Sequence, residues 1–313
     1  MRAVRVSGFG GPEMLRVEEV PAPVAGPGQV VVGVAVADTL FLETQLRSGW
    51  GTEYFGLTPP YVPGTGVAGR VLSTGEGVDS GWAGKEVVAG IDGGGYAEQA
   101  VAPAEALVEI PAGLDVQTAA GLLQTGPAAL SLLDAAKLQP SDRVLVTAAA
   151  GGLGSLLVQL AKAVGAHVTA AARGTEKLKL AAELGSDTVV DYSTENWADG
   201  IETDVVFDGV GGEIGQAAFG TVTRRFFGYG VPSGGFTEVD PAEAERRGIE
   251  VTGIEQVQFN REEMRALVER TLAEAAAGRV KPVIGRTFPL ARAAEAHATM
   301  ENRTVLGKTL LLV

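Results

Sequence analysis

The sequence predicts an α/β protein in two parts, a β-rich, partly barrel-like domain and a doubly wound parallel sheet. Three observations predict it. Valine-rich segments separated by Gly and Pro fill the first third of the 313 residues. From Thr118 onward, strand patterns alternate with helical ones, which implies a parallel sheet. A glycine-rich turn, Ala148-Ala149-Ala150-Gly151-Gly152-Leu153-Gly154, joins the first strand of the alternating region to its first helix.

Taken in order, Arg2 to Ser7, Leu15 to Val20 and Gln29 to Ala37 read as strands, punctuated by Gly10-Gly11-Pro12 and by the Pro/Gly-rich stretch 21–28. Val67 to Leu72, Lys85 to Ala89, Tyr96 to Ala102 and Leu107 to Ile110 follow as strands, with a short helix at Leu40 to Arg47. Thr118 to Leu133 is helical in composition and interrupted at Gly126-Pro127. Arg143 to Thr147 is a strand. Leu153, Leu156, Leu157, Leu160, Ala161 and Val164 then recur at helical spacing and mark one apolar face. His167 to Ala172 is the next strand and Glu176 to Leu184 the next helix, with Gly185 placed to cap it. Thr188 to Asp191, Asp204 to Phe207, Phe226 to Tyr229 and Ile249 to Gly253 supply further strands. Arg261 to Ala277 is a long polar-faced helix, and Val280 to Val313 returns to strand–helix–strand.

Composition narrows the function. Glycine supplies 44 residues, about 14% and roughly twice the usual share, which implies many tight turns or close backbone approaches. The hydrophobic and charged fractions, 46% and 20%, are those of an ordered globular chain. There is no cysteine, which excludes disulfides, thiolate metal sites and a cysteine nucleophile. Two histidines, His167 and His297, are too few for a histidine-rich metal site. A net charge of −13 argues against general binding to nucleic acid or an anionic membrane. Residues 1–8 carry no apolar signal core. The most apolar long stretch, Val144 to Ala161, is broken by Gly151, Gly152 and Gly154, so it reads as strand–turn–helix rather than a membrane span. A soluble, cytoplasmic protein is the expectation.

The glycine turn carries the chemistry. Ala149, Gly151 and Gly154 occupy the three small-residue positions of a dinucleotide fingerprint, which permit the tight turn, close approach of a pyrophosphate, and close helix–strand packing. A pyrophosphate there meets the backbone of Ala150, Gly151, Gly152, Leu153 and Gly154 and the positive end of the helix dipole. The alternative is a plain tight turn, and the strand–turn–helix–strand context favours the nucleotide. An NAD site places an acid about 20 residues on, at the end of the second strand. Here that region is Ala170-Ala171-Ala172-Arg173, with Lys177 following. Two cations and no carboxylate suit the 2′-phosphate of NADPH. Two further glycine loops, Asp208-Gly209-Val210-Gly211-Gly212 and Gly228-Tyr229-Gly230-Val231-Pro232-Ser233-Gly234-Gly235, follow predicted strands. They either simply make turns or line the nicotinamide side of the same nucleotide.

On these residues the chain resembles the medium-chain dehydrogenase/reductase superfamily, in its zinc-free quinone oxidoreductase (zeta-crystallin-like) branch. The likeness is carried by Ala148 to Gly154 with Gln159-Leu160-Ala161-Lys162 and Gly165-Ala166. Further matches are Val62-Pro63-Gly64 with Ala68-Gly69, Arg47-Ser48-Gly49, Asp191-Tyr192, Asp204-Val205-Val206-Phe207-Asp208 and Gly307-Lys308. The resemblance implies a GroES-like β-barrel catalytic domain over 1–117 and 257–313 and a Rossmann NADPH-binding domain over 118–256, with the active site in the cleft between them. It also implies a homodimer paired through the Rossmann sheet. By motif position, Lys177 and Tyr192 resemble 2′-phosphate contacts, with Arg173 adjacent. Arg303 resembles a cofactor-binding arginine of the family or is a surface arginine at a helix end. Gly209, Val210, Tyr229, Gly230 and Val231 fall on the nicotinamide side.

The chain departs from the family in two places. Family members often carry Asn seven residues and Asp four residues before the Arg of Arg-Ser-Gly; here Leu40 and Glu43 stand there. The family's Leu-Thr-Ala is replaced by Pro127-Ala128-Ala129, which leaves Thr125 or Gln124 to supply the missing polar group. Glu43 is expected to be solvated or salt-bridged, and both histidines to be structural. Leu40 and Phe41, with Trp50 and Tyr54, form either an apolar wall for a flat ring or barrel-to-loop packing. No residue is assigned a catalytic acid or base role. A zinc alcohol dehydrogenase needs a cysteine, and Thr65-Gly66 stands where its His-Glu pair belongs. There is no Tyr-x-x-x-Lys pair and no Gly-x-Ser-x-Gly elbow. The expected activity is NADPH-dependent reduction of quinones or other conjugated carbonyls without metal. The alternatives are an enoyl-type reductase of acyl thioesters or secondary-metabolite enones, and an NADPH-binding sensor of low turnover.

Overall fold

Period-two valine patterns and glycine turns build the first part of the chain, and βα alternation builds the second. The computed structural model describes residues 1–51 and 54–313 in full and residues 52 and 53 by their backbone alone. The chain opens with β1 (Arg2–Val6), β2 (Leu15–Glu19), β3 (Gln29–Asp38), α1 (Phe41–Ser48), α2 (Thr52–Phe55) and β4 (Gly66–Thr74). There follow β5 (Glu86–Gly90), β6 (Gln99–Pro103), β7 (Leu107–Glu109), α3 (Val116–Leu123) and α4 (Thr125–Ala136). The alternating region is β8 (Arg143–Val146), α5 (Gly152–Val164), β9 (His167–Ala172), α6 (Thr175–Glu183) and β10 (Thr188–Asp191). It continues with β11 (Thr203–Asp208), α7 (Gly212–Thr221), β12 (Val222–Gly228), α8 (Pro241–Arg247) and β13 (Glu250–Thr252). The chain closes with α9 (Arg261–Ala276), β14 (Ile284–Pro289), α10 (Ala293–Glu301) and β15 (Lys308–Leu312).

The backbone falls into two units, one of Met1–Gln124, Asn260–Ala276 and Val283–Val313, the other of Thr125–Phe259 and Ala277–Pro282. These bounds differ from the expected breaks at 117 and 257. Helix α3 packs on β3, β4 and β5, and α9 packs on α3 and β7, so both belong with the first unit. The 277–282 segment goes with the second because the Gln159 amide bonds both the N–H and the carbonyl of Lys281.

In the first unit, the sheet order is β14-β15-β3-β4-β5-β7, with β6 also pairing to β3. All these pairs are antiparallel except β14 with β15. Alternate valines of β3 (Val30, Val32, Val34) point into one core with Val67, Val71, Val87, Leu107 and Phe288, as a half-buried sheet requires. In the second unit, six parallel strands run in the order β10-β9-β8-β11-β12-β13. Counted within the unit this is 3-2-1-4-5-6, the doubly wound order whose ligand crevice lies where the winding reverses, between β8 and β11. Here the core gathers Leu145, Ala171, Val206, Phe219, Val222 and Phe226.

Three local differences from the sequence reading have physical causes. The helix expected to break at Gly126-Pro127 breaks at Gln124 instead. That puts Pro127 in the first turn of α4, where a missing N–H costs nothing. Helix α7 was hidden by Gly212, Gly215 and Gly220. Gly215 is needed because a Cβ there falls 1.7 Å from Thr237 Oγ1 and 2.3 Å from Asp208 Oδ2. Helix α8 carries legible signals that its seven-residue length obscured. Asp240 caps it by accepting from the Ala242 N–H, Pro241 opens it, and Gly248 at φ +68° ends it.

One buried ion pair ties the C-terminal strand to the first unit. Lys308 Nζ lies 2.6 Å from Asp38 Oδ1 and donates to the Thr39 carbonyl at 2.9 Å, with both side chains almost sealed from solvent. Burial pushes the Asp38 carboxyl up, and Lys308 only partly opposes it. Removing one partner strands a charge, at a cost of about 3–5 kcal/mol. We therefore expect Lys308→Met to lower the unfolding free energy by about that amount. Adding Asp38→Asn to it is expected to recover much of the loss, as measured by denaturant titration.

Candidate functional site

Strand β8 ends at Val146, and the chain then turns sharply. Ala148 takes φ +49°, and the Gly151 N–H donates to its carbonyl at 2.8 Å. Gly154 lies against this turn, where a Cβ would come within 2.3 Å of the Ala148 oxygen. That is the close helix–strand approach expected of the third fingerprint glycine. Ala149 and Ala150 are buried, and the Ala149 N–H bonds the Ala171 carbonyl of β9. Helix α5 starts after Gly151 with no side-chain cap. The N–H groups of its first turn, Gly152 to Gly154, therefore have no intrahelical partner and sit at the positive end of a thirteen-residue dipole. The donor set and the small-residue cradle fit a pyrophosphate.

Asp208, fully buried at the end of β11, organises what surrounds this turn. Its carboxylate accepts from Thr147 Oγ1 at 2.7 Å, the Val210 N–H at 3.0 Å, the Gly211 N–H at 3.1 Å and Thr237 Oγ1 at 2.6 Å. Thr147 Oγ1 in turn accepts from the Gly209 N–H at 2.9 Å. The Asp208 carbonyl accepts the N–H groups of Tyr229 and Gly230. The two downstream glycine loops are thus interlocked and not merely turns. A Cβ on Gly230 would fall 2.1 Å from the Gly209 carbonyl, and one on Gly211 would fall 2.1 Å from the Gly235 oxygen. The Tyr229 hydroxyl lies over Gly209, buried and without a partner, and burial with Asp208 nearby raises its pKa. Val210 is buried, and Val231 is half-buried.

At the end of the second strand, Ala172 is buried and Arg173 is exposed, its guanidinium 6.0 Å from the centre of the Tyr192 ring. Lys177 sits in the first turn of α6. Asp191, at the end of β10, braces this corner through Ser193 and the Gly174 N–H. Those bonds and the Arg173 charge hold its carboxyl below the usual range. Two of the three residues expected at a 2′-phosphate, Arg173 and Tyr192, are therefore together. Arg303 is exposed, follows α10 and adopts φ +54°.

In the first unit, Leu40 and Phe41 begin α1 and are half-buried. Trp50 is 43% exposed and Tyr54 is 81% exposed. Gln124, one of two residues considered as a replacement for the family's hydroxyl, spends its amide on the Thr65 carbonyl and hydroxyl. Thr125 begins α4 in the other unit. Glu43 corrects an expectation, being neither solvated nor paired with a cation. It is buried and accepts from the Leu40 N–H at 3.0 Å, the Thr65 N–H at 3.2 Å and the Tyr96 hydroxyl at 2.6 Å. Burial pushes its carboxyl up to about 7, against the Tyr96 bond. The Tyr96 oxygen also lies 3.1 Å from His297 Nε2.

Sequence reasoning missed Thr147, Asp208 and Thr237 as a unit. The available signal was an acid closing the apolar run Val205-Val206-Phe207 directly before a glycine loop. Replacing Asp208 by Asn turns one acceptor into a donor facing N–H and O–H groups. Each bond to the charged carboxylate is worth about 1.5–3 kcal/mol. We expect Asp208→Asn to cost about 2–4 kcal/mol in unfolding free energy and to weaken nucleotide binding at least about tenfold, by denaturant titration and fluorescence titration respectively.

Comparison with known proteins gives a consistent family. Residues 26–112 match the alcohol dehydrogenase GroES-like domain, and residues 184–311 match the zinc-binding dehydrogenase domain. A quinone oxidoreductase from Sus scrofa is 31% identical over 324 residues, covering 100% of this chain and 98% of that protein. A 2-haloacrylate reductase from a Burkholderia species is 32% identical over 327 residues, covering 97% and 96%. Among solved structures, Escherichia coli quinone oxidoreductase complexed with NADPH superposes with a TM-score of 0.90 at 26% identity, with 100% of both chains covered. A mycobacterial protein complexed with NADPH gives 0.91 at 30% identity, again over 100% of both. With the strand order, the glycine turn and relatives that align from end to end, the chain belongs to the medium-chain dehydrogenase/reductase superfamily, in its zinc-free quinone oxidoreductase branch.

Proposed function

We propose that the chain is an NADPH-dependent oxidoreductase that reduces quinones and related conjugated carbonyl compounds without a metal. The observation that carries the reading is the corner at the ends of the first two strands of the parallel sheet. An uncapped helix start behind a small-residue turn stands beside an Arg173–Tyr192 pair, where an NAD site would hold an acid. Ala150, Gly151, Gly152, Leu153 and Gly154 hold the pyrophosphate. Arg173, Lys177 and Tyr192 hold the 2′-phosphate against Ala172. Gly209, Val210, Tyr229, Gly230 and Val231 take the nicotinamide side, with Thr125 and Arg303 as further contacts. NADPH, when bound, supplies a hydride for an electrophilic ring or β-carbon.

The chain's own part is to bind, orient and exclude water. Leu40, Phe41, Trp50 and Tyr54 offer an apolar surface to a flat conjugated substrate. A quinone needs little acid catalysis, since solvent protonates its reduced oxygens, so a site without a cysteine or a metal suffices. The donor set supports the metal-free reading. There is no cysteine, and among the described residues no three His, Cys, Asp or Glu side chains cluster as metal ligands. Quinones and 2-haloacrylates share a carbon–carbon double bond conjugated to a carbonyl. The reductase named for haloacrylate therefore favours including enoates as a second substrate class. The same reading makes the protein a cytoplasmic homodimer. No described helix is long and apolar enough to cross a membrane.

Two measurements test this. Purified protein is expected to oxidise NADPH, followed by loss of nicotinamide absorbance, when offered a panel of quinones and enoates. Binding of NADPH with no oxidation across the panel overturns the reductase reading in favour of a sensor. The double variant Arg173→Ala/Lys177→Ala is expected to weaken NADPH at least about tenfold more than NADH. Equal weakening of both removes the 2′-phosphate assignment.

A further inference from the structure

The first unit holds a buried chain of three proton-bearing side chains that the proposed reaction does not use. Tyr96 has one hydroxyl hydrogen and two neighbours, Glu43 Oε2 at 2.6 Å and His297 Nε2 at 3.1 Å. His297 is fully buried, and its other ring nitrogen, Nδ1, has no partner. The geometry allows two consistent arrangements. With Glu43 ionised, Tyr96 donates to Glu43, His297 Nε2–H donates to the Tyr96 oxygen, and Nδ1 carries a lone pair. With Glu43 protonated, Glu43 donates to the Tyr96 oxygen, Tyr96 donates to Nε2, and the imidazole hydrogen is on Nδ1. We propose that Glu43, Tyr96 and His297 form a proton relay that exchanges these two states and reports them at Leu40, the residue that starts α1.

The step balances. The two states differ by one proton, taken up from solvent, which appears as an N–H bond at His297 Nδ1. The Nε2–H bond breaks as a new O–H forms on Tyr96. The original Tyr96 O–H breaks as an O–H forms on Glu43. The imidazole and the phenol are neutral before and after, and the net gain is one proton on Glu43.

The surroundings agree with this. Burial, opposed by the Tyr96 and Leu40 bonds, pushes the Glu43 carboxyl up to about 7, with Asp38 of β3 raising it further and Lys308 of β15 lowering it. Burial and the Arg47 charge push His297 down to about 3, so it stays neutral while Glu43 titrates. Burial and Glu43 hold Tyr96 well above its ordinary value. The remaining charged or titratable neighbours are Tyr61, whose buried hydroxyl is unpartnered and which interacts with Glu43 and Arg47, and Glu301, which pairs with Arg47. Glu43 Oε2 accepts the Leu40 N–H in both states, but from a charged oxygen in one and a neutral oxygen in the other. Bonds to charged acceptors are stronger and shorter. The relay state is thereby felt at the start of α1, which makes Glu43 a positioning residue for Leu40 and Phe41.

Long-range proton–nitrogen NMR of the full chain reads the tautomer of His297 directly, without nicotinamide or substrate. The test therefore stands or falls apart from the reductase reading. His167→Gln, on the surface, removes the other histidine's signals. Between about pH 5.5 and about pH 8.5, His297 is expected to pass from the Nδ1–H to the Nε2–H form while staying neutral. The Leu40 amide is expected to move with the same midpoint. Glu43→Gln removes the titrating carboxyl and is expected to hold His297 in a single tautomer at every pH. Tyr96→Phe is expected to uncouple His297 from pH. One unchanging tautomer in the parent chain across this range overturns the relay, as does a His297 that becomes a cation while the Leu40 amide stays still. Neither result requires a variant at a buried position to fold.

Discussion

The bond between Thr147 and Asp208 is the tie on which the second unit's arrangement rests. In a doubly wound sheet, the strands on either side of the reversal send their connections to opposite faces, so their ends diverge. Thr147 and Asp208 stand at these two ends and are joined at 2.7 Å. The remaining acceptor capacity of the carboxylate goes to Val210, Gly211 and Thr237. The Val210 and Gly211 N–H groups are buried donors that would otherwise be orphans costing about 1–3 kcal/mol each. Once they are satisfied internally, the backbone facing the crevice can leave its own donors open. The uncapped start of α5 is possible because the polar groups behind it are already paired.

The glycines follow from the same tie. Gly211 and Gly230 are not flexible joints. They are places where two backbones cross at contact distance because Asp208 draws both loops to one point. Gly215, inside α7, makes room for the Asp208–Thr237 bond itself. In the first unit, buried charge is handled differently. Asp38 faces a cation, whereas Glu43 faces three neutral donors with no cation bonded to it. Hydrogen bonds satisfy its lone pairs without neutralising its charge. The proton itself then becomes the cheapest counter-ion near neutral pH.

The parts of the fold that were legible in sequence were those set by local pattern. The valine-rich run of β3, the apolar face of α5, and the cap at Gly185 depend on neighbours a few residues away. The glycine turn was legible because a fingerprint is a local demand on backbone shape. Asp208, Glu43 and Tyr96 were not legible as partners. Their meaning depends on residues 22 to 201 positions away, and an isolated acid in sequence looks like surface charge. The glycine spacing in α7 carried the opposite error, since a helix that must admit another side chain discards the residues that would advertise it. Gly126-Pro127 signalled a helix break correctly, but the start of a helix tolerates the same residues as its end.

The corner at Asp191 bears on how an acidic chain accommodates a phosphate-rich ligand. The net charge of −13 opposes such a ligand at long range, but screening limits that repulsion to about 8–10 Å in physiological salt. What matters at contact is which lone pairs and which N–H groups are free. Asp191 lies close enough to Arg173 to feel its charge, and it stands at the end of the third strand and not the second. Its two oxygens already accept from Ser193 and from the Gly174 N–H. It serves as a brace for the loop carrying Arg173. The guanidinium beside it, seated near the Tyr192 ring, keeps its charge for an anion. The cofactor preference proposed above thus rests on the cation placed at this corner together with the absence of an acid from the second strand.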